Sequence, residues 1–145
     1  MATNSIHIDA SPQAVFDILA DADRYPDWVM GAKRIRYADP QWPKPGSTFA
    51  HAVGAGPIEV KDTTTVLEVQ EPTRLVLRAR ARPLGIAHVA ISLTPEDGGT
   101  VVKMEEHPVS PTIARCLGPL FDPMIAPRNA ASLRRLKHLA EDQSH

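Results

Sequence analysis

Glu106 and His51 are the residues of this chain whose types and neighbours suit them best to chemistry. In the run Val102-Lys103-Met104-Glu105-Glu106, alternate residues share one strand face, so Glu106 points with Val102 and Met104 toward the apolar side. A carboxylate on an apolar wall has its charged form disfavoured, which raises its pKa and suits it to general acid or base work. The structural alternative is a carboxylate at a cavity mouth, or one paired with Arg128. His51 shares parity with Phe49 and Val53. It is therefore either an inward proton acceptor or a satisfied core histidine. Asn129 could orient a ligand carbonyl or hydrogen-bond a loop. Trp28 and Tyr25 either wall an entrance or pack as core aromatics.

Other constellations carry less. Arg78, Arg80 and Arg82 alternate with alanines and share an outer face. The chain holds 16 basic and 17 acidic residues for a formal charge of −1, so a solvated sheet face is expected rather than a nucleic-acid surface. His88 and His107 are expected side by side on that outer face, but no third ligand is evident and no metal site is expected. A Gly-rich phosphate loop, a nucleophile elbow, a metalloprotease helix and a Cys-x-x-Cys pair are all missing from the sequence. No cofactor is expected, which leaves cofactor-free enzymes and binding proteins. Cys116 is the single cysteine, so no internal disulfide can form, as fits a reducing cytosol. The N-terminal MATNSIHIDA lacks the pattern of a secretory signal, and no apolar run approaches the roughly 20 residues of a membrane span. A cytoplasmic location is expected.

The elements that must position these residues follow from periodicity. Ile125, Asn129, Leu133, Leu136 and Ala140 form one stripe at helical spacing, which predicts an amphipathic helix from about Pro119 to Glu141. Ser5–Asp9 reads as a first strand. Ser11-Pro12 opens a short helix that buries Val15, Ile18, Leu19 and Ala22 and ends at Tyr25-Pro26. A turn or second helix at Tyr25–Val29 precedes strands at Lys33–Ala38 and Thr48–Val53, and Gly54-Ala55-Gly56-Pro57 breaks the chain. Three hairpins then join strands at about Ile58–Gln70, Leu75–Arg82, 86–94 and 101–107. The expected pairs are Val69 with Leu75, Leu67 with Leu77 and Thr65 with Ala79, while Asp62 faces Arg82 and Thr64 faces Arg80 on the other side. Across the Pro83-Leu84-Gly85 turn, Ala79 should face Val89, Leu77 Ile91 and Leu75 Leu93. Across Asp97-Gly98-Gly99, Val102 should face Leu93, Met104 Ile91 and Glu106 Val89.

One sheet face then carries large residues at one end, where Leu133, Leu136 and Ala140 can pack. At the other end it carries Thr63, Thr65, Ala79, Ala81 and Ala87, with Glu106 and Asn129 pointing in. Small residues on a concave face either let a neighbour approach closely or leave space. A ligand pocket lined by Trp28, Phe49, Thr65, Ala79, Ala87, Val89, Met104, Ile125 and Asn129 is expected.

The chain resembles the START-related helix-grip superfamily, which includes polyketide cyclases and the major birch-pollen allergen. The resemblance rests on Ile8-Asp9-Ala10-Ser11-Pro12, Tyr25-Pro26-Asp27-Trp28, Glu71-Pro72-Thr73-Arg74-Leu75, Gly99-Thr100-Val101-Val102 with Glu105-Glu106, and Arg128-Asn129 with Ser132–Leu136. It spans residues 1–145 and implies a single α+β domain. Its curved antiparallel sheet of about seven strands wraps a long C-terminal helix over an apolar cavity. Three functions fit: a carrier of a lipid, quinone or polyketide-like molecule, a cofactor-free cyclase, aromatase or dehydratase using Glu106 or His51, and a protein-interaction module. The protein is expected as a monomer or homodimer.

Overall fold

The computed structural model of the protein describes residues 2–29, 32–55, 58–81, 85–109 and 121–143. Cys116, Arg82 and the Gly56-Pro57 break, on which expectations were placed, lie outside them. Strand β1 (Ala2–Ile8) leads into helix α1 (Pro12–Leu19), a 3-10 turn (Ala22–Arg24) and helix α2 (Tyr25–Trp28). Strands β2 (Ala32–Ala38), β3 (Thr48–Ala55), β4 (Ile58–Gln70), β5 (Arg74–Ala81), β6 (Gly85–Glu96) and β7 (Gly99–Pro108) follow, and then the long helix α3 (Phe121–Gln143). The sheet has seven strands in the order β1-β7-β6-β5-β4-β3-β2, every neighbouring pair antiparallel. β2 to β7 form a meander, β1 adds to its far edge, and the short helices carry the chain from one edge to the other. This is the α+β architecture expected.

Local chemistry explains the boundaries. The Ser11 hydroxyl accepts from the Ala14 N–H at 3.1 Å and Pro12 occupies the first turn, so α1 starts where the cap signal places it. It stops at Leu19, earlier than Tyr25-Pro26. Asp21 accepts from the Asp23 N–H at 3.1 Å, a local bond that competes with helix continuation and sets up the 3-10 turn. Between β6 and β7, Asp97 and Gly98 have φ of 50° and 77°, the paired left-handed geometry of a tight hairpin turn. The register there is as expected, with Leu93 opposite Val102, Ile91 opposite Met104 and Val89 opposite Glu106.

Two registers differ from expectation. The β5–β6 pairing is centred one residue earlier, so Leu75 faces Ile91, Leu77 faces Val89 and Ala79 faces Ala87. A shift of two in partner keeps every side chain on its face. The β4 change has larger consequences. A β-bulge between Val66 and Glu68 leaves Leu67 without a partner, so Val66 faces Leu77, Thr64 faces Ala79 and Thr63 faces Arg80. One inserted residue inverts the strand's faces beyond it. Asp62, Thr64 and Val66 are buried, while Leu67 is 39% exposed. Thr64 therefore faces Ala79 rather than Arg80, and Asp62 is buried, while its expected partner Arg82 lies outside the described residues.

The core is the packing of α3 on the concave face. Leu133, Leu136 and Ala140 are fully enclosed and share one cluster with Val66, Leu75, Leu77, Ile91, Leu93, Val102, Phe16 and Ile18. Losing a buried leucine costs about 2–5 kcal/mol, against a total stability of about 5–15 kcal/mol. Leu136→Asp adds an unpaired buried charge to that loss. The variant should show no cooperative thermal transition by circular dichroism; a melt within a few degrees of wild type would place Leu136 away from the sheet.

Candidate functional site

The bulge in β4 brings a polar group to the interior that uninterrupted alternation would have turned outward. On β3, Phe49 and His51 face in, both buried; on β4, Asp62 and Thr64 do the same. The His51 Nε2 lies 3.1 Å from the Thr64 hydroxyl, and Asp62 sits directly opposite His51 across the strand pair. Tyr25, at the start of α2, covers this patch. Its ring centroid lies 5.0 Å from His51, 4.6 Å from Phe49 and 5.7 Å from Trp28. Tyr25 is half-buried as a whole, and its phenol end is enclosed and bonds the Thr64 side chain. Burial pushes the phenol above its ordinary pKa; Arg128 opposes that rise, and Glu106 and Asp62 reinforce it. Tyr25 is therefore a neutral hydroxyl within electrostatic reach of all three.

The second half of the site comes from β7 and α3. Glu106 is 7% exposed and accepts from Asn129 Nδ2 at 3.2 Å. Its pKa is raised by burial, against the attraction of Arg128 and the Asn129 bond. The Asn129 amide holds Oε1 of that carboxyl. Trp28 is buried, and among the described residues its indole N–H has no hydrogen-bond partner.

Of the expected lining residues, Trp28, Phe49, Val89, Met104 and Asn129 are buried on the inner side, and Ala79 and Ile125 are half-buried. Ala87 is buried too, but against Ala2, Ile125 and Ala126, so its small size admits the helix rather than leaving space. Thr65 is a correction. The bulge turns it to the opposite face, where its hydroxyl meets that of Thr48 at 2.9 Å. Sequence reasoning missed Thr64 and Asp62 as inner residues. The signal was the phase change along β4: Val60, Asp62, Thr64 and Val66 alternate together, while Val69 keeps the other parity.

Outside the interior, His88 and His107 oppose each other as expected, their rings 5.7 Å apart, and burial, His107 and Arg78 together lower the pKa of His88. Among the described residues no group of three or more His, Cys, Asp or Glu is placed to share a metal ion. No described helix is long and apolar enough to cross a membrane. A surface cleft of about 340 Å³ opens beside the 3-10 turn, lined by Asp21, Asp39, Pro40 and Trp42. The Trp42 ring packs edge-on to Phe49 at 4.5 Å and so links this cleft to the interior aromatic cluster.

A seven-stranded sheet gripping one long helix, with polar groups enclosed between them, defines the helix-grip class. The chain belongs to the family described as polyketide cyclase / dehydrase and lipid transport, which matches residues 2–141. Solved structures agree on the fold. Protein CV1439 from Chromobacterium violaceum is 17% identical with a TM-score of 0.73, the match covering 97% of this chain and 99% of that one. The di-domain ARO/CYC StfQ from the steffimycin biosynthetic pathway is 15% identical with a TM-score of 0.76, covering 98% of this chain and 50% of StfQ. The Ara h 8.0201 structure is 11% identical with a TM-score of 0.69, covering 95% of both chains. No curated protein matches the chain.

Burial gives Glu106 a measurable signature. With its folded pKa above the unfolded value of about 4.3, the folded protein binds the proton more tightly, so stability falls as pH rises between the two values. Glu106→Gln removes that dependence. The melting temperature of the variant minus that of wild type should be smallest near pH 4 and grow toward pH 7. A difference that shrinks over the same series would mean that Arg128 holds Glu106 ionised.

Proposed function

We propose that the protein binds an apolar small molecule between the concave sheet face and α3, with the polar end of that molecule at Tyr25, Trp28, Glu106 and Asn129. The observation that carries this reading is a set of buried polar groups, two of them shifted toward their neutral forms by burial, inside an otherwise apolar interior. Buried polar groups are normally fully satisfied, and departures from that rule concentrate where something binds. Membership of a family described by polyketide chemistry and lipid transport supports the same reading. Lipids, quinones and polyketide-like molecules all fit this description.

A second reading draws on His51. It contacts Thr64, which bonds Tyr25, while Glu106 faces the same interior with a raised pKa. A proton acceptor and a proton donor on separate strands of one interior wall are what a cofactor-free cyclase, aromatase or dehydratase would use. StfQ, a di-domain ARO/CYC, shares the fold and lends this reading some weight.

Organic extraction of the freshly purified protein, followed by mass spectrometry, tests the binding reading directly. A stoichiometric lipophile is expected. Ala79, half-buried opposite Thr64, offers an independent check. Ala79→Leu should keep the melting temperature within about 3 °C, since less than about 1 kcal/mol is lost where space exists. It should also cut uptake of an environment-sensitive apolar dye several-fold. A destabilised variant that still takes up dye as wild type does would mean close packing at Ala79 and a ligand elsewhere.

A further inference from the structure

Trp28 ends α2 with its ring buried among Tyr25, α3 and the sheet, and its indole N–H meets no acceptor. Indole nitrogen only donates. A buried donor without an acceptor loses its bond to water and regains nothing, so the fold carries an uncompensated cost at this atom. Its ring neighbour Tyr25 keeps its phenol proton and so offers a second donor. Among the described residues no acceptor reaches the Trp28 N–H. A hydrocarbon would leave the Trp28 N–H unmet, and an aliphatic carboxylate would bring a charge into the apolar pocket beside Glu106.

We propose that Trp28 is a specificity-determining residue, its indole N–H donating to a carbonyl oxygen on an otherwise apolar, ring-containing ligand, with the Tyr25 hydroxyl as the neighbouring donor. This assignment rests on the binding reading above and narrows it to ketones and quinones over hydrocarbons and fatty acids. A site built to hydrogen-bond a substrate group discriminates strongly against the analogue lacking it, because the site's own polar atom is then left unpaired.

The probes are 1-tetralone and tetralin, which share one bicyclic body and differ by a carbonyl oxygen. Each is titrated against wild-type protein preloaded with an apolar dye. Each is also followed through the indole N–H signals of the two tryptophans in 15N–1H spectra. The Trp42→Phe variant assigns the signals. Tetralone should displace dye at least tenfold more effectively than tetralin and move the Trp28 N–H signal downfield, with tetralin leaving it in place. Replacing Trp28 by benzothienylalanine, which exchanges the N–H for sulfur at nearly constant shape, should bring the two affinities within about threefold, and Trp28→Phe should do the same if it folds. Equal displacement by both probes with an unmoved Trp28 signal would overturn the assignment while leaving the binding reading intact. Failure of both probes to displace bound dye would overturn the assignment for bicyclic ketones, and failure of the protein to take up dye at all would remove the binding reading with it.

Discussion

The packing of α3 against the concave sheet is the constraint on which the rest depends. Leu133, Leu136 and Ala140 bury one stripe of the helix, and a helix returns to the same face every three to four residues. Extending that stripe one turn back reaches Asn129, so the apolar packing places an amide inside the protein. Glu106 is brought there by β7, whose alternation also buries Val102 and Met104. The Glu106–Asn129 bond is therefore a by-product of two apolar periodicities meeting, one of helix and one of strand. Neither residue could be moved outward without moving the core residues that share its face.

Enclosure then decides the protonation of the site. Glu106 and Tyr25 are both pushed toward their neutral forms by burial, while Arg128 pulls each the other way without prevailing. Groups shifted toward their neutral forms in an apolar surrounding differ in kind from a salt bridge. They attract an acceptor without demanding a counter-charge, and each bond they make is stronger than the same bond in water. This is why carriage and cofactor-free proton transfer are both compatible with one set of side chains. A donor that orients a carbonyl also polarises it.

How far the sequence could be read depended on the length scale of each signal. α3, the β6–β7 hairpin and the Ser11 cap were legible because each follows from one short-range rule: helical spacing, the Asp97-Gly98 turn and a hydroxyl before proline. The β5–β6 register missed by a turn position but kept its faces, since strand parity survives a shift of two. β4 was misread because the expected pairing assumed uninterrupted alternation, and a single bulged residue at Leu67 reverses every face before it. The candidate site suffered most from that one residue. Glu106, His51, Asn129, Phe49 and Trp28 are buried, as their expected inward placement requires, whereas Thr65 was placed on the wrong face and Thr64 and Asp62 were assigned to solvent. The unmet donor on Trp28 is a property of three-dimensional packing and leaves no sequence signal.

The entry of α3 combines a close contact with the sheet edge and a missing backbone bond. Ala2, Ala87 and Ala126 with Ile125 let the first turns of the helix lie tightly against the sheet edge. Asn4 donates to the Ala126 carbonyl at 3.0 Å and fixes that approach. Pro127 follows at once and brings no backbone N–H, so the helix lacks one internal bond ahead of its buried leucines. Helices bend where such bonds are missing. Arg128 and Asn129 sit immediately after that point, between an anchored end and the packed stripe of Leu133 and Leu136. The helical side of the interior therefore carries a missing backbone bond next to Arg128 and Asn129, while β3, β4 and β7 form the other side as strands of one sheet.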